Sequence, residues 1–179
     1  LPQTYTYVRN SSRKDLLSHM QTAMAQTLQQ IWAERAPDVP LTSPQQLLTM
    51  ASVVEKETAE PDERPLIARV FYNRLQKNMR LQTDPTVIYA LTQGKPTLER
   101  PLNHADLQTP SAYNTYLSTG LPPGPICSPG NAALYAAAHP AKGDMLYFVA
   151  SGTGGHNFAT TLAEHNHNVD LLRKQKASH

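Results

Sequence analysis

Ser43-Pro44-Gln45-Gln46-Leu47-Leu48-Thr49-Met50-Ala51-Ser52-Val53-Val54-Glu55-Lys56-Glu57-Thr58 starts the way helices start and ends in acid. Ser43 is an N-cap residue, Pro44 occupies the first helical position, and Gln46 stands three after the cap. The spacing predicts a helix over 44–58 that buries one apolar stripe. At about 100° per residue, Glu57 falls roughly 70° from the stripe's centre and Glu55 roughly 90°, while Lys56 points away. A glutamate on the rim of an apolar surface has its pKa raised by desolvation and keeps a proton near neutral pH, as a general acid requires. The alternative is a solvated helix end with Lys56 as local partner.

Outward from this helix the pattern stays mainly helical. Leu16, Leu17, Met20, Met24, Leu28, Ile31 and Trp32 recur at helical spacing after Ser12 and stop before Pro37. Leu66, Ile67, Val70, Phe71 and Leu75 mark a third helix, closed by Lys77-Asn78, and Asp84-Pro85 opens a short fourth one through Leu91. Residues 93–129 are rich in Pro, Gly, Asn and Thr, and such a long irregular stretch within a domain is functional or disordered. The aromatics Tyr113 and Tyr116 argue for order. Ser128-Pro129 starts an Ala-rich helix, the apolar run 145–150 reads as a strand, and Gly152-Thr153-Gly154-Gly155 turns it into a hairpin ahead of a last helix and a basic tail. The expected fold class is α+β: one mostly helical, lysozyme-like domain over 1–179 with a small β-hairpin.

Composition excludes several classes. Sixteen Lys and Arg against fourteen Asp and Glu, with no basic run interleaved with aromatics, give nucleic-acid binding no support. The single cysteine, Cys127, reads as a small buried residue rather than a nucleophile. No apolar stretch reaches the roughly 20 residues of a membrane span. The start at Leu1 without Met reads as the middle of a longer protein. No cofactor or metal is expected: His156, His165 and His167 lack the spacing of a zinc site, and the last two read as surface residues. Ser11-Ser12-Arg13-Lys14 matches a Ser-x-x-Lys nucleophile motif without its companions, and reads as a helix cap.

Residues 51–59, Ala-Ser-Val-Val-Glu-Lys-Glu-Thr-Ala, followed by 80–89, Arg-Leu-Gln-Thr-Asp-Pro-Thr-Val-Ile-Tyr, resemble the endolytic murein transglycosylases of the MltG (YceG-like) family. Further similar blocks follow in the family's order: 113–116, 120–126, 136–141, 147–150 and 154–158. The resemblance implies a single catalytic acid/base at a helix end followed by a small hydroxyl residue, which Glu57-Thr58 fits better than Glu55-Lys56. It implies non-hydrolytic cleavage between N-acetylmuramic acid and N-acetylglucosamine in peptidoglycan, with a 1,6-anhydro product. It further implies a membrane-anchored protein whose anchor and a small additional domain lie outside this chain, a catalytic domain on the periplasmic side of the inner membrane, and cell-wall synthases (penicillin-binding proteins) as partners.

Sugars present hydroxyl and acetamido groups, so Gln82, Thr83, Tyr113, Asn114, Thr115 and Tyr116 are the candidate contacts, with Pro122-Pro123-Gly124-Pro125 as a rigid cleft wall. Asp84 is the closest candidate for a second carboxylate, but Asp84-Pro85 is also a standard helix start and the cap role is the favoured one. His156 either lines the cleft or supports the hairpin. Glu60, Asp62 and Glu63 are expected in a solvated loop.

Overall fold

The computed structural model describes residues 1–95, 98 and 100–177; residues 96, 97 and 99 of the irregular segment and the last two of the basic tail lie outside the described residues. Among the described residues six α-helices and one hairpin follow in order: α1 Arg13–Ala33, α2 Pro44–Glu57, α3 Arg64–Gln76, α4 Asp84–Thr92, α5 Asn131–Ala138, β1 Tyr147–Ala150, β2 His156–Ala159 and α6 Leu162–Ala177. Short 3-10 turns lie over Pro61–Glu63 and Asp106–Gln108. The chain is thus α+β and mostly helical, as its periodicity predicts.

Caps set the helix starts. Ser12 forms a reciprocal capping box with Asp15 at α1, and the Ser43 hydroxyl accepts the Gln46 N–H at α2. The α5 start differs from its sequence reading. It begins at Asn131 behind Gly130, and the N–H of Gly130 is taken by the Glu55 carboxylate at 3.1 Å. A side chain from the end of α2 thus holds the residue just ahead of α5 and places negative charge where the helix dipole favours it.

Helix α2 is the hub, packing against α1, α3, α4 and α5. It is buried nearly all round and not only along a stripe: Leu47 and every residue from Thr49 to Val54 are buried. Small residues explain the close fit. Ala51 and Ser52 on α2 and Ala133 and Ala137 on α5 are fully buried where these two helices pack together. The Ser52 hydroxyl donates to the Thr49 carbonyl and accepts the Ile126 N–H, so the loop ahead of α5 is pinned to the hub. Cys127 lies on that loop, and burial pushes its thiol up to about 11, which suits a structural residue rather than a nucleophile.

The antiparallel hairpin pairs Tyr147 with Ala159 and Ala150 with His156 and rests on α3 and α6. Phe148 meets Phe71 of α3 edge-on at 5.9 Å. Arg74, nine per cent exposed, fastens the hairpin from below: its Nε donates to the Leu146 carbonyl at 2.6 Å, and its Nη1 donates to the carbonyls of Arg80 and Leu81 at 3.1 and 2.9 Å. One guanidinium thus joins the hairpin to the segment that enters α4. Asn73 ties α3 to the run ahead of β1, donating to the Gly143 and Met145 carbonyls. No helix among the described residues is long and apolar enough to cross a membrane.

Candidate active site

Where α2 ends, the α4 entry and the hairpin converge on a cleft of about 440 Å³. Glu57 lines it from α2, Arg74 from α3, Gln82 and Asp84 from the α4 entry, Tyr116 from the irregular segment, Phe148 and His156 from the hairpin, and His165 from α6. Glu57 also borders a second depression, lined by Glu55, Lys56, Thr58, Ala59 and Arg64.

Glu57 Oε2 accepts a hydrogen bond from the Thr83 hydroxyl at 2.5 Å. Burial raises its pKa above the ordinary 4.5, and the charge of Asp84 adds to this; the Thr83 hydrogen bond, His156 and Arg74 oppose the rise without cancelling it. The carboxyl is thus biased toward its protonated form. Because the folded pKa lies above the unfolded one, the stability from this group is complete below pH 4.5 and is lost as pH rises through the folded value. Glu57→Gln should therefore gain stability relative to the wild type as pH is raised from 4 to 8, which urea unfolding at each pH would show. A constant difference between the two would contradict a raised pKa.

Backbone geometry aims Thr83 at Glu57. Gln82 adopts a left-handed φ of 51°, uncommon for a residue with a side chain. Its N–H donates to the Thr115 carbonyl, and the Thr83 N–H donates to the Thr115 hydroxyl. Thr86 completes the cluster, donating to the Thr83 carbonyl with its hydroxyl 2.8 Å from that of Thr115.

Asp84 is not the cap of α4. Thr83 holds the N-cap position without a side-chain cap bond, and the exposed Asp84 carboxylate accepts the Tyr116 hydroxyl at 2.5 Å. Burial, and then Asp84, hold that phenol protonated far above its ordinary range.

Glu63, expected in solvent, is part of the site's frame. Its Oε2 lies 2.7 Å from His156 Nδ1 and accepts the Thr58 hydroxyl at 3.1 Å, while Oε1 accepts the His156 backbone N–H. Burial alone would raise its pKa, but the hydrogen bonds from the His156 side chain and backbone outweigh that and hold the carboxylate below its usual range. His165 is likewise drawn inward, stacked on Tyr147 at 5.2 Å, with a pKa lowered by burial and then by Arg74; His167 is exposed as expected.

The sequence model of the YceG-like family matches residues 1–171. The chain belongs to the YceG-like family. Among its relatives is an endolytic murein transglycosylase of Bacillus subtilis, 53% identical over 120 residues, covering 67% of this chain and 32% of the relative. One of Streptococcus pneumoniae is 37% identical over 175 residues, covering 94% of this chain and 30% of the relative. A crystal structure of a YceG-like protein from Listeria monocytogenes superposes with a TM-score of 0.78 at 41% identity, covering 93% of this chain and 53% of that one. The chain thus spans about a third of the length of the curated relatives it matches.

Of the candidate sugar contacts, this YceG-like fold brings Gln82, Asp84, Tyr116 and His156 to the cleft with Glu57 and leaves the rest out of its lining. Thr83 and Thr115 are buried and act on the site from behind. Asn114 is fully buried; its amide donates to the Leu107 and Thr109 carbonyls and its Oδ1 accepts the Tyr116 N–H, so it shapes the loop that presents Tyr116. Tyr113 packs on Tyr89 at 4.7 Å, and Pro122 and Pro123 line a separate depression beside Leu41 and Leu75. Asn114→Ala should consequently lower stability by about 1–3 kcal/mol, the cost of orphaned buried partners. Its thermal midpoint should fall by several degrees; loss of glycan binding at an unchanged midpoint would contradict the buried role. Among the described residues no three His, Cys, Asp or Glu side chains are grouped to hold a metal ion.

Proposed function

We propose that this chain is the catalytic part of an endolytic murein transglycosylase, with Glu57 as its acid and then its base. The observation that carries the reading is a partly desolvated carboxyl, bonded to a hydroxyl, that lines a cleft and also borders a second depression. An enzyme that cuts inside a strand needs room for sugars on both sides of the bond. Amide, hydroxyl and aromatic groups at Gln82, Tyr116 and Phe148 suit pyranose faces and their polar rims.

Protonated Glu57 gives its proton to the oxygen joining N-acetylmuramic acid to N-acetylglucosamine as the bond from that oxygen to C1 breaks. The Glu57 carboxylate then takes the proton of the muramic acid C6 hydroxyl as its oxygen closes on C1. The products are a free 4-hydroxyl on one side and a 1,6-anhydro end on the other. The substrate supplies its own nucleophile, so one carboxylate suffices where glycosidases ordinarily use two. Thr83 orients Glu57 and stabilises its charged form between the two steps. Anchoring in the inner membrane by a segment outside residues 1–179, action from the periplasmic side on nascent strands, and proximity to cell-wall synthases belong to the same reading.

Digestion of purified sacculi in heavy-oxygen water tests the reading. Anhydro-muropeptides without label at C1 are the expected product. Labelled reducing ends would overturn the non-hydrolytic route and assign Asp84, exposed on the same wall, as partner in a hydrolysis.

A further inference from the structure

Glu63 and His156 are 93 residues apart in sequence yet joined by two contacts, one to the ring and one to the backbone. The approach has required a specific backbone. Gly155, immediately before His156, has φ +76°, and a Cβ built there would lie 2.4 Å from Glu63 Oε1. A side chain at 155 would be strained by this conformation and would push the Glu63 carboxylate out of its place against His156. The Thr58 hydroxyl fixes the other Glu63 oxygen from the end of the helix that carries Glu57. Phe148 stands edge-on to the imidazole at 5.3 Å, and Phe158 lies 6.5 Å away. The ring is held by Glu63 from outside the cleft lining and by Phe148 within it, while the ring itself lines the cleft.

We propose that Glu63 is a positioning residue acting through His156: it keeps Nδ1 protonated and leaves Nε2 as the nitrogen turned to the glycan beside Glu57. The inference rests on the transglycosylase reading of the cleft. A carboxylate can only accept, so Nδ1 must donate to it whether the ring is neutral or charged. Only Nε2 then changes between acceptor and donor. In the neutral ring Nε2 accepts a hydrogen bond from a sugar hydroxyl or acetamido N–H; in the charged ring it donates and favours the Glu57 carboxylate, whose pKa His156 lowers. The charged and titratable groups around it are Glu63 from the 3-10 turn, Glu57 from α2, Arg74 from α3, Asp84 from α4, Tyr116 from the irregular segment and His165 from α6.

Long-range proton–nitrogen NMR of the wild-type chain, without substrate and above the imidazole's titration, reads the tautomer directly. A protonated Nδ1 with a bare Nε2 is expected, and a mixture of tautomers in Glu63→Gln. Turnover of glycan strands by Glu63→Gln, His156→Gln and the double variant gives the second readout. Glu63→Gln should lower kcat by about 10²-fold, the scale of a misplaced group, and the double variant should lose no more than the worse single one. A wild-type ring protonated at Nε2, or losses that multiply in the double variant, would overturn the proposal. The tautomer is read without substrate, so its failure strikes the pairing alone, whereas full activity in Glu57→Gln strikes the reading of the cleft on which the pairing depends.

Discussion

Glu57→Gln is expected to lower turnover of glycan strands by at least about 10²-fold, the smaller end of what a positioned general acid supplies. The substitution is nearly isosteric, and the amide oxygen can still accept the Thr83 hydroxyl, so fold and glycan binding should persist. What disappears is the transferable proton. Glu55→Gln is the internal control. Its carboxylate accepts the Gly130 N–H and lies 3.9 Å from the Arg64 guanidinium, so its loss should weaken the start of α5 rather than stop the chemistry. Equal losses at both positions, or full activity in Glu57→Gln, would contradict the assignment.

Arg74→Met should be the most damaging single change outside the catalytic group. It removes charge-assisted donors to the carbonyls of Leu146, Leu81 and Arg80 at once and leaves those oxygens to find other partners. Hydrogen bonds to charged groups contribute about 1.5–3 kcal/mol each and do not add in full, so a loss of at least about 3 kcal/mol is expected. For a chain of this size that corresponds to a fall of roughly 6–12 °C in thermal midpoint. Activity should fall with it, because the hairpin carrying His156 and the segment carrying Thr83 share this one guanidinium. Arg74→Lys should recover little, since an ammonium on one stem cannot span the three carbonyls. A midpoint within a degree or two of the wild type would show that the hairpin is held by its apolar contacts alone.

The helices were readable because caps and apolar spacing are local signals: Ser12, Ser43 and the stripe through Leu66 to Leu75 give α1, α2 and α3 nearly to the residue. The α5 start lies past Ser128-Pro129, at Asn131, because the turn into it is held at Gly130 by Glu55, 75 residues away in sequence. Glu57 was legible as an acid at the end of an apolar run. Arg74 carried a signal that went unused. Arg74 stands one turn beyond Val70 and Phe71 on the apolar face of α3, where a polar residue needs a buried partner; α6 has no buried residue, so His165 carried no such signal. Asn114 and Thr115 could not be separated from Tyr116 by sequence, because an irregular segment has no period to tell its inward side from its outward one. Glu63 was beyond reach for the same reason: its partner is placed by the hairpin turn, not by spacing.

The most direct test of the account is the titration of Glu57 itself. Carbon-detected NMR of its side-chain carboxyl, assigned by comparison with Glu57→Gln, reports the ionisation midpoint in the folded chain. A midpoint above the ordinary 4.5, coinciding with the alkaline limb of the activity profile, is expected. A midpoint at or below 4.5 would mean that burial does not hold the proton there, and would contradict Glu57 as the acid that opens the glycosidic bond.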